Sequence, residues 1–188
     1  MKIAVTGGIG SGKSYVCRLL ARWGINVYDC DDAAKRLMRT SPQLRQSLTR
    51  LIGPATYLPD GSLNRSAVAS FLLQSASNAQ AIDAIVHPAV AADFEQSGMQ
   101  WMECAILYES GFHRLVDRVI VVTAPRVVRL RRIISRDGIS RYKAQQWMAR
   151  QQPQREIRKR ADYEIINDGM TDIESQINNI LLQCKQPF

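Results

Sequence analysis

The chain of 188 residues contains only two histidines and four cysteines, and this scarcity narrows the kinds of metal and redox site that it can hold. None of the four cysteines lies in a C-x-x-C pair, so the sequence indicates neither a zinc site nor a dithiol redox motif. We expect them to be reduced thiols that lie mostly in the core. The two histidines are too few for a histidine-rich metal site. The cysteines are Cys17, Cys30, Cys104 and Cys184.

Long apolar runs are also missing from the sequence. No stretch is long enough to cross a bilayer, and the chain enters a strand-like segment at once, without a secretory leader. We therefore expect a cytoplasmic protein that has no membrane partner. The composition is otherwise ordinary for a globular protein, with 46% hydrophobic and 22% charged residues. A chain of this length can form one sizeable core and a subdomain.

Positive charge is concentrated in one segment. The formal net charge of the chain is +8, yet residues 126–160 alone contain ten arginines and two lysines against two acids. A basic protein of this kind could bind nucleic acid. Because the excess is confined to one segment, we expect no nucleic-acid partner and ask instead which anion that segment faces.

A short glycine-rich segment, Gly7–Ser14, reads GGIGSGKS and matches the phosphate-loop pattern G-x-x-x-x-G-K-[ST]. Residues 3–6 before it are apolar or β-branched, which predicts a buried strand. After it, apolar residues recur at helical spacing until Gly24, which predicts one buried helix face that ends there. These apolar residues are Val16, Leu19, Leu20 and Trp23. The pattern therefore lies between a strand and a helix, as a phosphate-binding loop requires.

The chemistry of a bound nucleotide explains the composition of this loop. Glycines let backbone N–H groups curve around a phosphate without Cβ clashes, and the N-terminus of the following helix adds its positive dipole. Lys13 can reach the β- and γ-phosphates, and the Ser14 hydroxyl suits Mg²⁺. The alternative, a glycine turn beside a solvated lysine, does not require the flanking strand and helix. The loop alone does not identify the reaction.

Four further strands are predicted, at residues 25–29, 102–107, 119–123 and 163–166, with mostly helical spacing between them and a last helix near 172–183. Strands separated by helices indicate an α/β protein with a parallel sheet. Ligands of such sheets collect beyond the carboxyl ends of the strands. The long helical stretch between the second and third strands could cover a second substrate, and within it the His87–Pro88 pair is predicted near a helix start.

Acidic side chains follow the second and third strands. Asp29 and Asp31 come just past the second strand, where a carboxylate could accept the proton of an acceptor hydroxyl. From the residues alone, capping of the next helix by Asp31 or Asp32 is an equally good interpretation. Glu109 follows the third strand and could hold a metal-bound water or the acceptor. Its alternative role is that of a solvated acid.

Three arginines of the basic segment share one predicted helix face. Arg129, Arg132 and Arg136 are spaced by three and four residues, and the helix ends at a turn formed by Asp137 and Gly138. A mobile lid with these arginines could neutralise a transferring phosphoryl group and exclude water. The alternative is a solvated basic face. The presence of a phosphate loop favours the lid.

Taken in order, these motifs resemble those of the dephospho-CoA kinase family, and the resemblance covers nearly the whole chain. Residues 6–14 resemble its TGGIGSGKS, and Asp29–Asp31 stands where the family has Asp-Ala-Asp. The other shared motifs are a Leu-x-Arg element, a His-Pro pair, a Pro-Leu-Leu-Phe-Glu strand end, two lid arginines, a later glutamine and an Ala-Asp…Asn-x-Gly ending. In this sequence they are Leu63 and Arg65, His87–Pro88, 106–109, Arg132 and Arg136–Asp137, Gln151, Ala161–Asp162, and Asn167 with Gly169.

The resemblance implies an α/β fold of the P-loop nucleoside-triphosphate-hydrolase type. The expected parallel five-stranded sheet has helices on both faces, a helical substrate-binding insertion and a helical lid. The core would comprise about 1–30, 101–125 and 161–188, the CoA-binding insertion about 31–100, and the lid about 126–160. We expect a monomer.

The resemblance also implies ATP and Mg²⁺ as cofactors and dephospho-CoA as the substrate, phosphorylated on its ribose 3′-hydroxyl in the last step of CoA synthesis. It makes Asp31 the base, and it gives Lys13, Arg132 and Arg136 catalytic roles. The nucleotide would be bound by Gly8, Ile9, Gly10, Ser11, Gly12, Lys13, Ser14, Tyr15, Asn167 and Gly169, with Ser14 on the metal. The acceptor pocket would include Asp29, Arg65, His87, Tyr108 and Glu109.

Three positions depart from the family pattern. Ala105 replaces the proline of the strand-end motif, Cys30 replaces an alanine, and Tyr15 stands where threonine is usual. None of these changes removes a charged group that the chemistry needs.

Other kinases of small molecules or nucleoside monophosphates share the core and are the nearest alternative. A GTP-binding switch would require D-x-x-G and N-K-x-D, and the sequence has neither.

Overall fold

Five short strands form one parallel sheet in the computed structural model, which describes residues 1–185. Their order across the sheet is β2-β3-β1-β4-β5, with β1 at the centre. Ala4 of β1 lies opposite Met102 of β3 on one side and Val119 of β4 on the other. The strands are β1 (Ile3–Thr6), β2 (Val27–Asp29), β3 (Trp101–Glu103), β4 (Arg118–Thr123) and β5 (Tyr163–Ile166). The predicted α/β class with a five-stranded parallel sheet is confirmed.

Helices connect the strands, as a parallel sheet requires. Short 3₁₀ turns occur at Pro54–Thr56 and Phe112–Leu115. The helices are α1 (Lys13–Arg22), α2 (Cys30–Thr40), α3 (Pro42–Ile52), α4 (Arg65–Gln74), α5 (Ser77–Ser97), α6 (Arg126–Asp137), α7 (Arg141–Ala149), α8 (Gln154–Arg160) and α9 (Ile173–Lys185). No helix in this described part of the chain is long and apolar enough to cross a membrane.

The main core explains why the central strand is apolar throughout. All four residues of β1 are buried because neighbouring strands flank it on both sides and helices cover the sheet. Val16 and Leu20 of α1 and Ile177 of α9 pack in the same cluster. Each such side chain contributes about 1.5–3 kcal/mol when fully buried. Trp23, predicted on this buried helix face, is instead 42% exposed, since it lies at the C-cap of α1, where the helical repeat ends.

The chain divides into two compact units, and the smaller one, Asp29–Gly98, consists of α2 to α5. Its core includes Leu44 and Leu48 of α3 and Phe94 of α5. Arg45 donates to the Gly61 carbonyl at 2.6 Å and its guanidinium lies 4.0 Å from the centre of the Tyr57 ring, so the segment 53–64 between α3 and α4 is fixed to α3. The larger unit contains residues 1–28 and the chain from Met99 onward.

The third strand is shorter than predicted, and this corrects the placement of residues 104–109. The Cys104 N–H continues the ladder to the Val5 carbonyl, but the chain then turns, with hydrogen bonds from Ser110 N–H to Ile106 O and from Gly111 N–H to Tyr108 O. The run of apolar residues resembled a strand because Leu107 is fully buried within this turn. Tyr108 and Glu109 therefore belong to a turn and do not end a strand.

The His87–Pro88 pair lies in the middle of α5, whereas the sequence predicted a position near a helix start. A proline inside a helix lacks the N–H that would bond the carbonyl four residues earlier, which usually disfavours the helix by about 3 kcal/mol or more. The helix continues here because Val86 and Val90, on either side of the pair, are buried. Tertiary packing thus outweighs the local preference.

Candidate active site

The loop between β1 and α1 presents a row of backbone N–H groups that have no acceptor in the described part of the chain. Ser11 N–H bonds the Gly8 carbonyl at 3.0 Å, which closes the loop on itself. The N–H groups of Gly10, Gly12, Lys13 and Ser14 have no partner in residues 1–185. Two of them open helix α1, whose positive dipole end adds to the attraction for anions. The loop therefore has the donors that a phosphate group needs.

Side chains from elsewhere in the larger unit bind the carbonyl groups of this loop. Arg129 Nε donates to the Ile9 carbonyl at 2.9 Å. Arg132 Nη1 and Asn167 Nδ2 donate to the Ser11 carbonyl at 3.3 and 2.9 Å. Carbonyl and N–H point in opposite directions across a trans peptide, so bonds to the carbonyls direct the next N–H groups away from these side chains. The N–H groups of Gly10 and Gly12 thus point away from these side chains.

At all four glycines of the loop, a Cβ would lie within 3.0 Å of another protein atom. A Cβ at Gly8 would overlap the Arg129 guanidinium, with Cζ only 2.8 Å away. A Cβ at Gly12 would overlap the Asn167 amide nitrogen, and Gly12 also has a φ of +97°, which side chains rarely adopt. The glycine pattern, explained from the sequence by phosphate binding, therefore also serves the packing of α6 and of the segment after β5.

Lys13 forms an ion pair that the sequence pattern around it does not predict. Its Nζ lies 3.5 Å from Glu103 Oε1 at the end of β3, and the two side chains are only 11% and 12% exposed. The pair forms because β3 lies next to β1, so the end of β3 faces the loop that follows β1. An acid within a short apolar strand was the available signal, but strand pairing is needed to place it beside Lys13.

Among Asp29 at the end of β2 and Asp31 and Asp32 after it, only Asp31 lacks a side-chain partner in the described part of the chain. The helix N-cap is Asp29, whose Oδ1 accepts from Asp32 N–H at 2.9 Å, so neither Asp31 nor Asp32 has the capping role considered from the sequence. Asp32 lies 3.5 Å from Lys35 Nζ. The exposed Asp31 carboxylate has no hydrogen bond or ion pair in the described part of the chain. Asp31 is therefore available to accept a proton.

The three arginines predicted to share one face of α6, Arg129, Arg132 and Arg136, have different partners. Arg129 and Arg132 bond the loop. Arg136 is exposed and pairs with Asp137 through two hydrogen bonds, at 2.9 and 2.8 Å, which lowers the pKa of the Asp137 carboxyl. The predicted turn after it is present, with Gly138 in the left-handed conformation. Only Arg129 and Arg132 are beside the loop in this structure.

Asn167, predicted near the adenine, uses its whole side chain on protein partners. Nδ2 donates to the Ser11 carbonyl, and Oδ1 accepts from Arg132 Nη2 at 2.9 Å. Asp168 fixes the next turn by accepting from the N–H groups of Met170 and Thr171, both at 2.8 Å, and these bonds lower its pKa. Gly169 within this turn has a φ of +92° and open space around it. The segment after β5 is thus bound to the phosphate loop.

The turn after β3 holds an aromatic cluster. The Arg160 guanidinium lies 3.7 Å from the centre of the Tyr108 ring, and the His113 ring centroid lies 5.3 Å from that of Tyr108. Burial raises the pKa of the Tyr108 hydroxyl, against the opposing effect of Arg160. That hydroxyl and His113 Nδ1 are buried without a hydrogen-bond partner among residues 1–185. Glu109 is exposed.

The predicted acceptor residues of the smaller unit lie on its helices. Arg65 is the exposed first residue of α4, whose N-cap is Asn64. His87 Nε2 lies 3.6 Å from Asp83 Oδ1, one turn earlier on α5. These two positions are described within the smaller unit only, and their contact with an acceptor stays a prediction.

A magnesium ion would find few protein ligands at the loop. No group of three or more metal-binding side chains occurs in the described part of the chain. Ser14, in the first turn of α1, is exposed, and so is the neighbouring Tyr15, whose ring lies 5.8 Å from the Arg18 guanidinium. Mg²⁺ commonly takes one or two protein oxygens and completes its octahedron with phosphates and waters. An exposed hydroxyl beside open phosphate donors fits that mode of binding.

Comparison with known proteins agrees with this geometry. The family model for dephospho-CoA kinase matches residues 1–172. A dephospho-CoA kinase from Porphyromonas gingivalis is 42% identical over 194 residues, covering 98% of this chain and 96% of that protein. One from Bacteroides fragilis is 37% identical, covering 96% and 91%.

Solved structures give the same result. The crystal structure of TT1252 from Thermus thermophilus superposes with a TM-score of 0.85 at 30% identity, covering 100% of this chain and 98% of that one. A dephospho-CoA kinase from Campylobacter jejuni, at 19% identity and a TM-score of 0.66, shares the fold. The predicted P-loop kinase fold and the predicted enzyme class are confirmed, and the chain belongs to the dephospho-CoA kinase family.

Proposed function

We propose that this chain transfers the γ-phosphoryl group of ATP to the ribose 3′-hydroxyl of dephospho-CoA, giving CoA and ADP. The observation that carries the proposal is the loop with four open N–H donors and Lys13, in a chain of this family. Phosphoryl transfer depends mainly on positioning and charge neutralisation, and the loop offers both.

The loop and Lys13 bind the β- and γ-phosphates in this proposal. Gly8 to Tyr15 surround the phosphates with their backbone, and the Lys13 ammonium moves from Glu103 to the phosphate oxygens. Such a move replaces one anionic partner by another, so the largely buried ammonium keeps a counter-charge throughout. Asn167 and Gly169 border the nucleotide on the side of β5.

Mg²⁺ is the proposed metal, held through the Ser14 hydroxyl. When bound, it neutralises developing charge on the phosphates. The fit rests on the exposed hydroxyl at the start of α1, beside the open N–H donors of the loop.

Asp31 is the proposed base. Its carboxylate orients the acceptor hydroxyl and takes its proton as the phosphoryl group is transferred. The assignment is supported by its position in the first turn of α2 and by its lack of a competing partner in the described residues, in contrast to Asp29 and Asp32.

Arg132 and Arg136 are the proposed arginines of the transfer step, on a lid comprising residues 126–160. Guanidinium groups stabilise charge on the equatorial oxygens of a transferring phosphoryl group. Arg132 already lies beside the loop, whereas Arg136 would have to leave Asp137. Acceptor binding is proposed for the insertion 31–100 and, separately, for the turn after β3 in the larger unit. The proposed contacts of the acceptor are Asp29, Arg65, His87, Tyr108 and Glu109.

The test is turnover with Mg-ATP and a panel of acceptors. Purified protein is incubated with dephospho-CoA, adenosine, AMP, CMP or shikimate, and ADP release is followed. ADP production that requires dephospho-CoA supports the proposal. Turnover on another acceptor alone would keep the fold and overturn the substrate.

We further propose that the enzyme acts as a cytoplasmic monomer without a nucleic-acid partner. The expectation of no nucleic-acid partner is supported by the confinement of excess positive charge to residues 126–160. Light scattering coupled to size exclusion tests the oligomeric state. Titration with duplex DNA and with RNA at two salt concentrations tests whether the protein binds nucleic acid, since binding driven by phosphate contacts falls steeply with salt.

A further inference from the structure

Arg129 carries a buried positive charge that no carboxylate in residues 1–185 neutralises. The residue is only 7% exposed. Its acceptors are neutral: the Ile9 carbonyl at 2.9 Å from Nε, and Gln154 Oε1 at 3.5 Å from Nη1. Neither an ion pair nor an acceptor for Nη2 is present in residues 1–185. Burial lowers the pKa of this guanidinium, and the neighbouring Arg126 lowers it further. A buried cation without an anion is unfavourable in the unliganded protein.

The charge lies directly against the phosphate loop. The guanidinium occupies the space that a side chain at Gly8 would fill, and a Cβ at Gly10 would lie 2.7 Å from the Arg129 carbonyl oxygen. The bond from Nε to the Ile9 carbonyl also orients one peptide of the loop. Because the N–H of that peptide belongs to Gly10 and points the opposite way, Arg129 directs an open donor to the face where phosphate would bind.

We propose that Arg129 is a positioning residue for the nucleotide phosphates and that its charge is neutralised when they bind. It fixes the peptide between Ile9 and Gly10 and adds a fixed positive charge behind the loop. A hydrogen bond to the carbonyl polarises the peptide and strengthens its N–H as a donor. The inference rests on the proposed function, because it requires that the loop bind a polyphosphate.

Arg129 differs from Arg132 and Arg136 of the same helix in the partners of its guanidinium group. Arg132 is held by acceptors on both the loop and Asn167, and Arg136 is neutralised by Asp137. Arg129 combines burial with the lack of any acid partner in the described residues. Binding of an anion should therefore stabilise the charged guanidinium of Arg129 more than that of Arg136.

The test compares Arg129→Met and Arg129→Lys with Arg131→Gln, which removes an exposed charge from the same helix. Thermal unfolding is measured without ligand, and the affinities for Mg-ATP and for inorganic tripolyphosphate are measured by calorimetry. We expect Arg129→Met to unfold at the same temperature as the wild type or higher, while both affinities fall by about tenfold or more. Arg129→Lys should recover part of the affinity, and Arg131→Gln should match the wild type.

A purely structural role predicts the reverse pattern. If Arg129→Met unfolds at a lower temperature and binds tripolyphosphate within about twofold of the wild type, the proposal is wrong. Arg129→Lys provides the same comparison if the methionine variant does not fold. Failure of the wild type itself to bind Mg-ATP would overturn the proposed function. Normal wild-type binding with unchanged affinity in Arg129→Met would overturn only this inference.

Discussion

Arg132 and Asn167 hold each other through two hydrogen bonds, from Nη2 to Oδ1 at 2.9 Å and from Nη1 to the backbone carbonyl at 3.0 Å. The two residues also share the Ser11 carbonyl as an acceptor. Helix α6, the end of β5 and the phosphate loop are therefore tied together at one point. Arg132, which we expect to act on the transferring phosphoryl group, thus also holds the phosphate loop in place.

Replacing Arg132 by alanine should affect turnover more than acceptor binding. We expect kcat to fall by about a hundredfold, as for loss of one preorganised donor to transition-state charge, while KM for dephospho-CoA changes little. The free energy of unfolding should also fall by about 1–3 kcal/mol, since Asn167 loses its partner. Steady-state kinetics and thermal unfolding give both quantities. An unchanged kcat with a raised KM would exclude the role in transfer.

Asp31→Asn should nearly abolish transfer and leave ATP binding intact. Loss of a general base lowers rates by about 10²–10⁴-fold, and the amide is similar in size and still polar. The matched control is Asp32→Asn, the adjacent acid that lies beside Lys35. It should retain most activity, since an exposed pair of this kind contributes little. Substantial turnover by Asp31→Asn would remove Asp31 as the base.

Glu103→Gln should lower the stability of the unliganded protein and increase the stabilisation that a bound nucleotide provides. Lys13 loses its carboxylate partner in a largely buried position, and bound phosphates restore a counter-charge. We expect a lower unfolding temperature without ligand and a larger upward shift with saturating Mg-ADP than in the wild type. In Lys13→Met the shift should vanish. Identical shifts in Glu103→Gln and the wild type would show that the ion pair is not coupled to nucleotide binding.

Comparison of Gly12→Ala with Gly24→Ala distinguishes the cost of backbone strain from the cost of a clash with a neighbouring group. Both glycines have a positive φ, of +97° and +77°, but only Gly12 lies against another group, the amide of Asn167. We expect Gly24→Ala to lower the free energy of unfolding by about 1–2 kcal/mol, the strain of a left-handed alanine. Gly12→Ala should lose more than this and should also lose nucleotide binding. Chemical denaturation measures both, and equal losses would contradict the packing role of Gly12.

Local patterns in the sequence were sufficient where structure is determined locally. The strand before the loop, the glycines and the buried face of α1 apart from Trp23 were predicted correctly, because each follows from the conformational needs of a short segment. The turn after α6 was likewise predicted from Asp137–Gly138. The ordered motifs then identified the family.

Features that depend on tertiary contacts could not be read in the same way. The run from Ala105 to Leu107 resembled a strand, although burial of Leu107 in a turn has the same apolar signature. The partner of Lys13 required knowledge that β3 lies beside β1. Pro88 suggested a helix start, yet packing of its neighbours maintains a helix through it. In each case the deciding interaction joins residues distant in the sequence or competes with a local preference.

The most direct measurement is identification of the product formed from Mg-ATP and dephospho-CoA. Reactions are run to completion, ADP is quantified, and the coenzyme is compared with authentic CoA by mass spectrometry and by ³¹P NMR, which distinguishes a 3′- from a 2′-phosphate. We predict CoA with the phosphate on the 3′-hydroxyl, in amounts equal to ADP. Formation of ADP without CoA, or a phosphate on another hydroxyl, would contradict the proposed reaction.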